Sequence, residues 1–251
     1  MNLAPIAFAR NGFTDKFGIP RQVREHSALR TRIVFCPPFR NPDAIRGISE
    51  FSHLWLIWGF HAANRGPQLS AQSCDGESES SGRLIGAGSN GTTRLLHATV
   101  RPPRLGGNTR VGVFATRSPF RPNPLGLTSV RLLGVEHSPT EGPVLVVEGA
   151  DMLDGTPIYD IKPYIGYCDC HPDSRDGFVD TTPRRLLNVV WPDTVPQELP
   201  KQELQEILEQ DPRPAYQDDP ERVYGIDYAG WNIRFTVSSQ TLFVTAITSA
   251  V

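Results

Sequence analysis

The 251-residue sequence contains four cysteines, too few for a disulfide framework in a chain of this length. A reduced, cytoplasmic setting is therefore expected. No apolar run comes near the roughly 20 residues that a membrane-crossing helix requires. The opening MNLAPIAFAR has neither a basic start nor a long apolar core, so it does not read as a signal peptide. A Walker A loop, a G-x-S-x-G elbow and an H-E-x-x-H pair are all missing. No internal repeat stands out, and helical periodicity is scarce. Proline (23) and glycine (22) are both abundant, which favours short strands joined by many turns, hence a β-barrel or sandwich.

What is present is a local positive field. The chain has a formal net charge of −2, yet residues 101–124, RPPRLGGNTRVGVFATRSPFRPNP, hold Arg101, Arg104, Arg110, Arg117 and Arg121 and no acid. Prolines stiffen the stretch, and Gly106, Gly107 and Gly112 let it bend. Such a patch suits a phosphate, a carboxylate or a nucleic-acid backbone. The VGVFATR alternation predicts a strand with both faces covered, which puts Arg117 at its end beside a turn.

Further strands are predicted over residues 5–10, 31–35, 51–60, 127–136, 143–148 and 156–161, with a single helical turn over 41–48. FSHLWLIWGF (51–60) reads as a buried central strand. Residues 66–91, rich in Ser, Gly, Gln and Glu, read as a mobile surface excursion. Composition shifts again near Cys168, which divides the chain into a domain of residues 1–167 and a smaller α+β domain of 168–251. The latter is predicted to hold a strand (185–191), a helix (200–209, with Leu204, Ile207 and Leu208 on one face) and a closing pair (231–237, 241–247).

Two motifs carry little. Gly86 to Gly91 (GAGSNG) matches the dinucleotide fingerprint, but it lies in the low-complexity excursion and no acid follows to hold a ribose. Cys168-Asp169-Cys170-His171 lacks a second paired spacing, so no metal is expected. The candidate functional set is Pro20-Arg21-Gln22, His61, the arginine stretch and the region from Asp151 to Lys162. Arg117 or Arg21 can hold a carboxylate or phosphate by forked hydrogen bonds. Asp151 or Asp154 can accept from a ribose or amino group, and Leu127 and Leu153 can cover an apolar ring. Asp154-Gly155 reads equally well as plain turn chemistry.

FGIPRQ, FSHLWLIWGFH, TVRPPRLGG, RVGVFATRSPFRPNPLGL and DMLDGTPIYDIKPY resemble, in this order, the TsaA-like, TrmO-type family, and DPRPAY at 211–216 resembles its C-terminal extension. The resemblance covers nearly the whole chain except 66–91. It implies a mainly β fold: an N-terminal β-barrel rather than a Rossmann methyltransferase, with a small α+β C-terminal domain, in a homodimer. It implies an S-adenosylmethionine-dependent methyltransferase acting on N6 of threonylcarbamoyladenosine in the anticodon stem-loop of threonine tRNAs. The cofactor contacts it implies are Pro20, Arg21, Gln22, His61, Ala62, Arg117, Leu127, Asp151, Met152, Leu153 and Asp154. Ala62 stands where some members have Gln, which leaves only a backbone contact there.

An acceptor nitrogen next to a carbonyl is a weak nucleophile until its proton leaves, so Asp154 and Asp160 are the expected proton-accepting or positioning acids. Asn123, Arg121 and Lys162 are expected at the modified base, and Arg104 and Arg110 along the stem-loop. Two competing classes are a non-catalytic RNA-binding module and an oxidoreductase built on GAGSNG.

Overall fold

A computed structural model describes residues 3–19, 27–61, 68–69, 83–87, 93–102, 105, 109–179, 186–213 and 219–249. In chain order the strands are β1 (Ala7–Arg10), β2 (Arg30–Phe35), β3 (His53–Gly59), β4 (Gln68–Leu69), β5 (Arg83–Ala87), β6 (Thr93–His97), β7 (Thr99–Val100), β8 (Val111–Gly112), β9 (Leu125–Ser138), β10 (Gly142–Glu148) and β11 (Pro157–Pro163). The short helix α1 (Gly166–Asp169) follows, then β12 (Asn188–Val190), helix α2 (Lys201–Glu209), β13 (Tyr224–Tyr228), β14 (Trp231–Ser238) and β15 (Thr241–Ser249).

Six antiparallel strands close into a barrel in the order β1-β11-β3-β9-β10-β2. Closure removes every unpaired strand edge. Ile33, Leu54, Leu56, Leu145, Val147 and Ile158 fill its interior and are fully buried. The expected central strand is β3, held between β11 and β9. Its alternation puts Leu54, Leu56 and Trp58 inward. The opposite face is covered too, because Tyr164 packs 5.5 Å from the Trp55 ring and Asp169 accepts from Trp55 Nε1 at 3.0 Å. Cover on both faces is why this segment reads as one continuous apolar run.

A second sheet, in the order β12-β15-β14-β13, packs around α2 and buries Leu204, Ile207, Leu208, Ile233 and Phe235. The strand β13 was not expected. Its YGIDY pattern buries Tyr224, Ile226 and Tyr228 and exposes the Gly and Asp between them. A period of two was therefore present, but over only five residues beside a charged approach.

Phe13, Phe17, Ile19 and Leu29, which a boundary at Cys168 assigns to the first domain, also enter this second core. Phe13 meets Tyr228 edge-on at 4.9 Å, and Leu29 is buried in the same cluster. Glu206 of α2 accepts from the Ser27 hydroxyl and the Ala28 amide, both at 2.8 Å. Glu206→Ala leaves one buried and one half-buried donor unpaired, so urea denaturation is expected to show a loss of about 1–3 kcal/mol.

One expectation is corrected. Strand character ends at Gly112, and Val113–Ala115 form a 3-10 turn instead of continuing a strand. The Thr116 amide (3.2 Å) and hydroxyl (2.8 Å) both donate to the Val113 carbonyl, which takes the group a neighbouring strand would need. The turn hides Val113 and turns Phe114 outward. Within 66–91, the described residues form β4 and β5, which join β6 in a three-stranded sheet of order β4-β6-β5. Gly86 and Ala87 lie on β5, and the next described element is a strand, so the helix that the dinucleotide fingerprint requires is not there. The turn over 41–48 is present as two short 3-10 pieces, Pro42–Ile45 and Ile48–Glu50.

Candidate functional site

The ends of β3 and β9, the loop that follows β8 and the 151–156 turn enclose a cleft of about 2080 Å³. Residues 175–179, Lys16 and His61 also line it. At its floor, Trp58 Nε1 donates to Thr128 Oγ1 at 3.0 Å, and the Thr128 hydroxyl donates to Asp151 Oδ1 at 2.8 Å. Two neighbouring strands thereby aim one carboxylate. Trp58 is braced edge-on by Phe60 at 4.3 Å. Its indole lies directly over Gly126, where an added Cβ would come within 2.2 Å of the ring. Gly126→Ala is therefore expected to push the indole off Thr128, lowering stability by about 1–3 kcal/mol, as read from the thermal midpoint.

The four side chains from Asp151 to Asp154 take four different directions. Asp151 faces the cleft. Met152 is buried in the barrel core, and its carbonyl accepts from Asn11 Nδ2 at 2.9 Å. Leu153 packs on the second core and shows an edge to the cleft. Asp154 turns to Asn11, whose amide donates at 3.0 Å, and to Arg10 at 3.4 Å. Gly155, at φ +73°, completes the turn.

Burial pushes the Asp151 carboxyl above the ordinary carboxylate value, opposed by the Thr128 hydrogen bond and by the positive charge of Arg117. His61 is held below its ordinary value, first by desolvation and then by the charge of Lys16. Gly59 and the charge of Asp154 act in the other direction. The cleft thus pairs a carboxyl that resists ionisation with an imidazole that resists protonation. Such opposed shifts are common where a site exchanges protons with a ligand.

The chain is similar along nearly its whole length to proteins of one kind. The family model described as the tRNA-methyltransferase O N-terminal domain matches residues 8–170, and the TrmO C-terminal domain matches 185–250. The chain belongs to the tRNA-methyltransferase O family. A tRNA (adenine(37)-N6)-methyltransferase from Eikenella corrodens is 41% identical over 203 residues, which cover 79% of this chain and 97% of that protein. The protein of the same name from Escherichia coli is 33% identical over 256 residues, covering 96% of this chain and 95% of its own. A Pseudomonas aeruginosa relative, 38% identical over 237 residues and covering 90% of this chain and 87% of its own, is provisionally named an S-adenosylmethionine-dependent methyltransferase. The crystal structure of TrmO from Pseudomonas aeruginosa superposes with a TM-score of 0.71 at 27% identity, covering 99% of each chain.

In this TrmO-family chain the cleft gathers most of the expected residues. His61, Arg117, Asn123, Leu127, Asp151, Met152 and Leu153 line it, as do Arg110 and Arg121. Arg110 also reaches the Thr99 hydroxyl at 3.3 Å, and Arg121 braces its own loop by donating to the Thr116 carbonyl at 3.0 Å. Asp154 is not in the lining, although its charge reaches His61. Asp160 and Lys162 do not join the cleft either. They are ion-paired at 3.0 Å on a solvent-exposed face of β11, because residues two apart on a strand share a face. Pro20, Arg21, Gln22, Ala62 and Arg104 lie outside the described residues. Sequence reasoning missed Trp58, Thr128 and Gly126. The only signal for them was an aromatic and a small residue on strands whose pairing is invisible in sequence.

Proposed function

We propose that this chain methylates N6 of adenosine 37 in tRNA using S-adenosylmethionine, and that its substrate is threonylcarbamoyladenosine in threonine tRNAs. The observation that carries this reading is the Trp58–Thr128–Asp151 hydrogen-bond chain, which aims a carboxyl of raised pKa into a cleft edged by Arg110, Arg117 and Arg121. A module that only gripped RNA would need the arginines but no partly buried acid, so the competing non-catalytic reading is disfavoured.

S-adenosylmethionine, when bound, supplies an electrophilic methyl group on a sulfonium. The donor set fits it: Arg117 for the carboxylate end, Leu127, Leu153 and the Trp58 edge for the purine, and His61 and the turn backbone for polar groups. Pro20, Arg21, Gln22 and Ala62 belong to the same set by family resemblance. Asp151 then replaces Asp154 and Asp160 as the group that takes the N6 proton. Asp154 holds the turn that presents it. Asn123 and Arg121 face the modified base, and Arg110 faces the phosphates. Lys162, tied to Asp160, serves at most the outer stem. Holding both reactants in line can supply roughly 7–11 kcal/mol of the barrier.

The protein acts in the cytoplasm as a homodimer. No helix among the described residues is long and apolar enough to cross a membrane. The test is mass spectrometry of threonine tRNA incubated with the protein and S-adenosylmethionine, with and without the threonylcarbamoyl group. A mass gain of one methyl on the modified tRNA alone is expected. Methylation of unmodified tRNA to the same extent refutes the substrate assignment.

A further inference from the structure

The cleft carries apolar side chains that no described residue covers. Phe114 is 69% exposed and Phe120 49%, both on the loop that lines the cleft. Exposed rings on a mobile loop would mean little, but this loop is tied at every step. The Thr116 hydroxyl donates to the Val113 carbonyl at 2.8 Å. The Ser118 amide donates to the Thr116 hydroxyl and the Phe120 amide to the Ser118 hydroxyl, both at 3.2 Å. Arg121 closes the ring on the Thr116 carbonyl at 3.0 Å. The backbone that carries both rings is therefore ordered before any ligand arrives, so little backbone entropy remains to be lost on binding.

Around them positive charge outweighs Asp151 and Asp176, the two acids in the lining. Arg101, Arg110, Arg117 and Arg121 line the same cleft, and residues 101–124 contain no acid. A second copy of the chain docking here across a two-fold axis would bring these arginines face to face, which costs rather than stabilises. Rings for flat apolar faces beside cations for phosphates suit unpaired nucleotides. We propose that Phe114 and Phe120 form a stacking platform for the loop nucleotides flanking the methylated adenosine, holding that base splayed over Asp151. This rests on the functional reading above and adds to it the residues that seat the RNA bases.

The test compares wild type, Phe114→Ala, Phe120→Ala and Phe114→Trp for binding to threonylcarbamoylated threonine tRNA over a range of salt. Stacking is worth about 1–3 kcal/mol per base, so each alanine variant is expected to bind roughly five- to a hundredfold more weakly. The drop should be alike at every salt concentration, with the slope against salt unchanged, and Phe114→Trp should restore affinity. Arg110→Ala should instead reduce that slope by about one. A 2-aminopurine placed next to the target adenosine should be quenched by wild type and not by the alanine variants. Affinity for S-adenosylmethionine and the thermal midpoint should not move, because both rings are exposed.

Unchanged tRNA affinity in both alanine variants overturns the platform while leaving the methyltransferase reading intact. A change in sedimentation instead of affinity assigns the patch to a second copy of the chain and also overturns it. Absence of tRNA binding by wild type itself refutes the functional reading, and the platform with it.

Discussion

Asp151→Asn is expected to slow methyl transfer by about 10²–10⁴-fold, the range a positioned general base contributes. Asparagine keeps an oxygen for the Thr128 hydroxyl, so the cleft should hold its shape and affinity for S-adenosylmethionine should be little changed. In wild type the rate should rise with pH as the Asp151 carboxyl ionises, and the midpoint should lie above the ordinary carboxylate range. The same residue has an opposite effect on stability. Its folded pKa is raised, so the native state binds its proton more tightly than the unfolded chain does. Stability from this group is therefore greatest below the ordinary carboxylate pKa and falls as pH rises through the raised one. Above that window the fold carries a partly buried charge that asparagine lacks. Asp151→Asn should consequently melt at a higher temperature than wild type near neutral pH, with the gain vanishing in acid. Such a trade of activity for stability is common at sites built for chemistry. Full turnover by Asp151→Asn, or a loss confined to cofactor affinity, would remove the proton-accepting role.

Arg117→Ala should weaken S-adenosylmethionine binding by about ten- to a hundredfold, the worth of a charged hydrogen bond of about 1.5–3 kcal/mol, as measured by calorimetry. A second effect separates this residue from a simple clamp. Its charge favours ionised Asp151, so removing it should move the acid limb of the pH–rate profile to higher pH. Arg117→Lys keeps the charge and loses the fork, so it should restore the pH profile more fully than the affinity. An unshifted limb in Arg117→Ala would separate the two residues.

The arginine stretch shows how far local pattern reaches. That its charge calls for an anion was legible, because composition survives any folding. That Phe114 faces the cleft was not. Strand alternation puts it on a covered face, and only the double claim of Thr116 on the Val113 carbonyl turns it out. Hydroxyl-to-backbone competition of this kind depends on geometry that periodicity does not encode. The acids repeat the lesson. Asp151, Asp154 and Asp160 look alike in sequence, but one is aimed by Thr128, one is spent on Asn11 and Arg10, and one is paired with Lys162.

The sequence by itself determined the mainly β class, the buried strand β3, the helix α2, the closing hairpin of β14 and β15, and the family, because alternation, breakers and long ordered motifs are properties of neighbours along the chain. Tertiary structure alone decided the closing of the barrel, the entry of Phe13 and Leu29 into the second core, and the aiming of Asp151, alone among three acids, into the cleft. Each of these rests on contacts between residues far apart in sequence. The Thr128–Asp151 bond joins the edge of one strand to a turn 23 residues on, and the Ser27–Glu206 bond spans 179. Which partner a side chain meets at such a distance is set by strand pairing and packing, and local pattern carries no record of either.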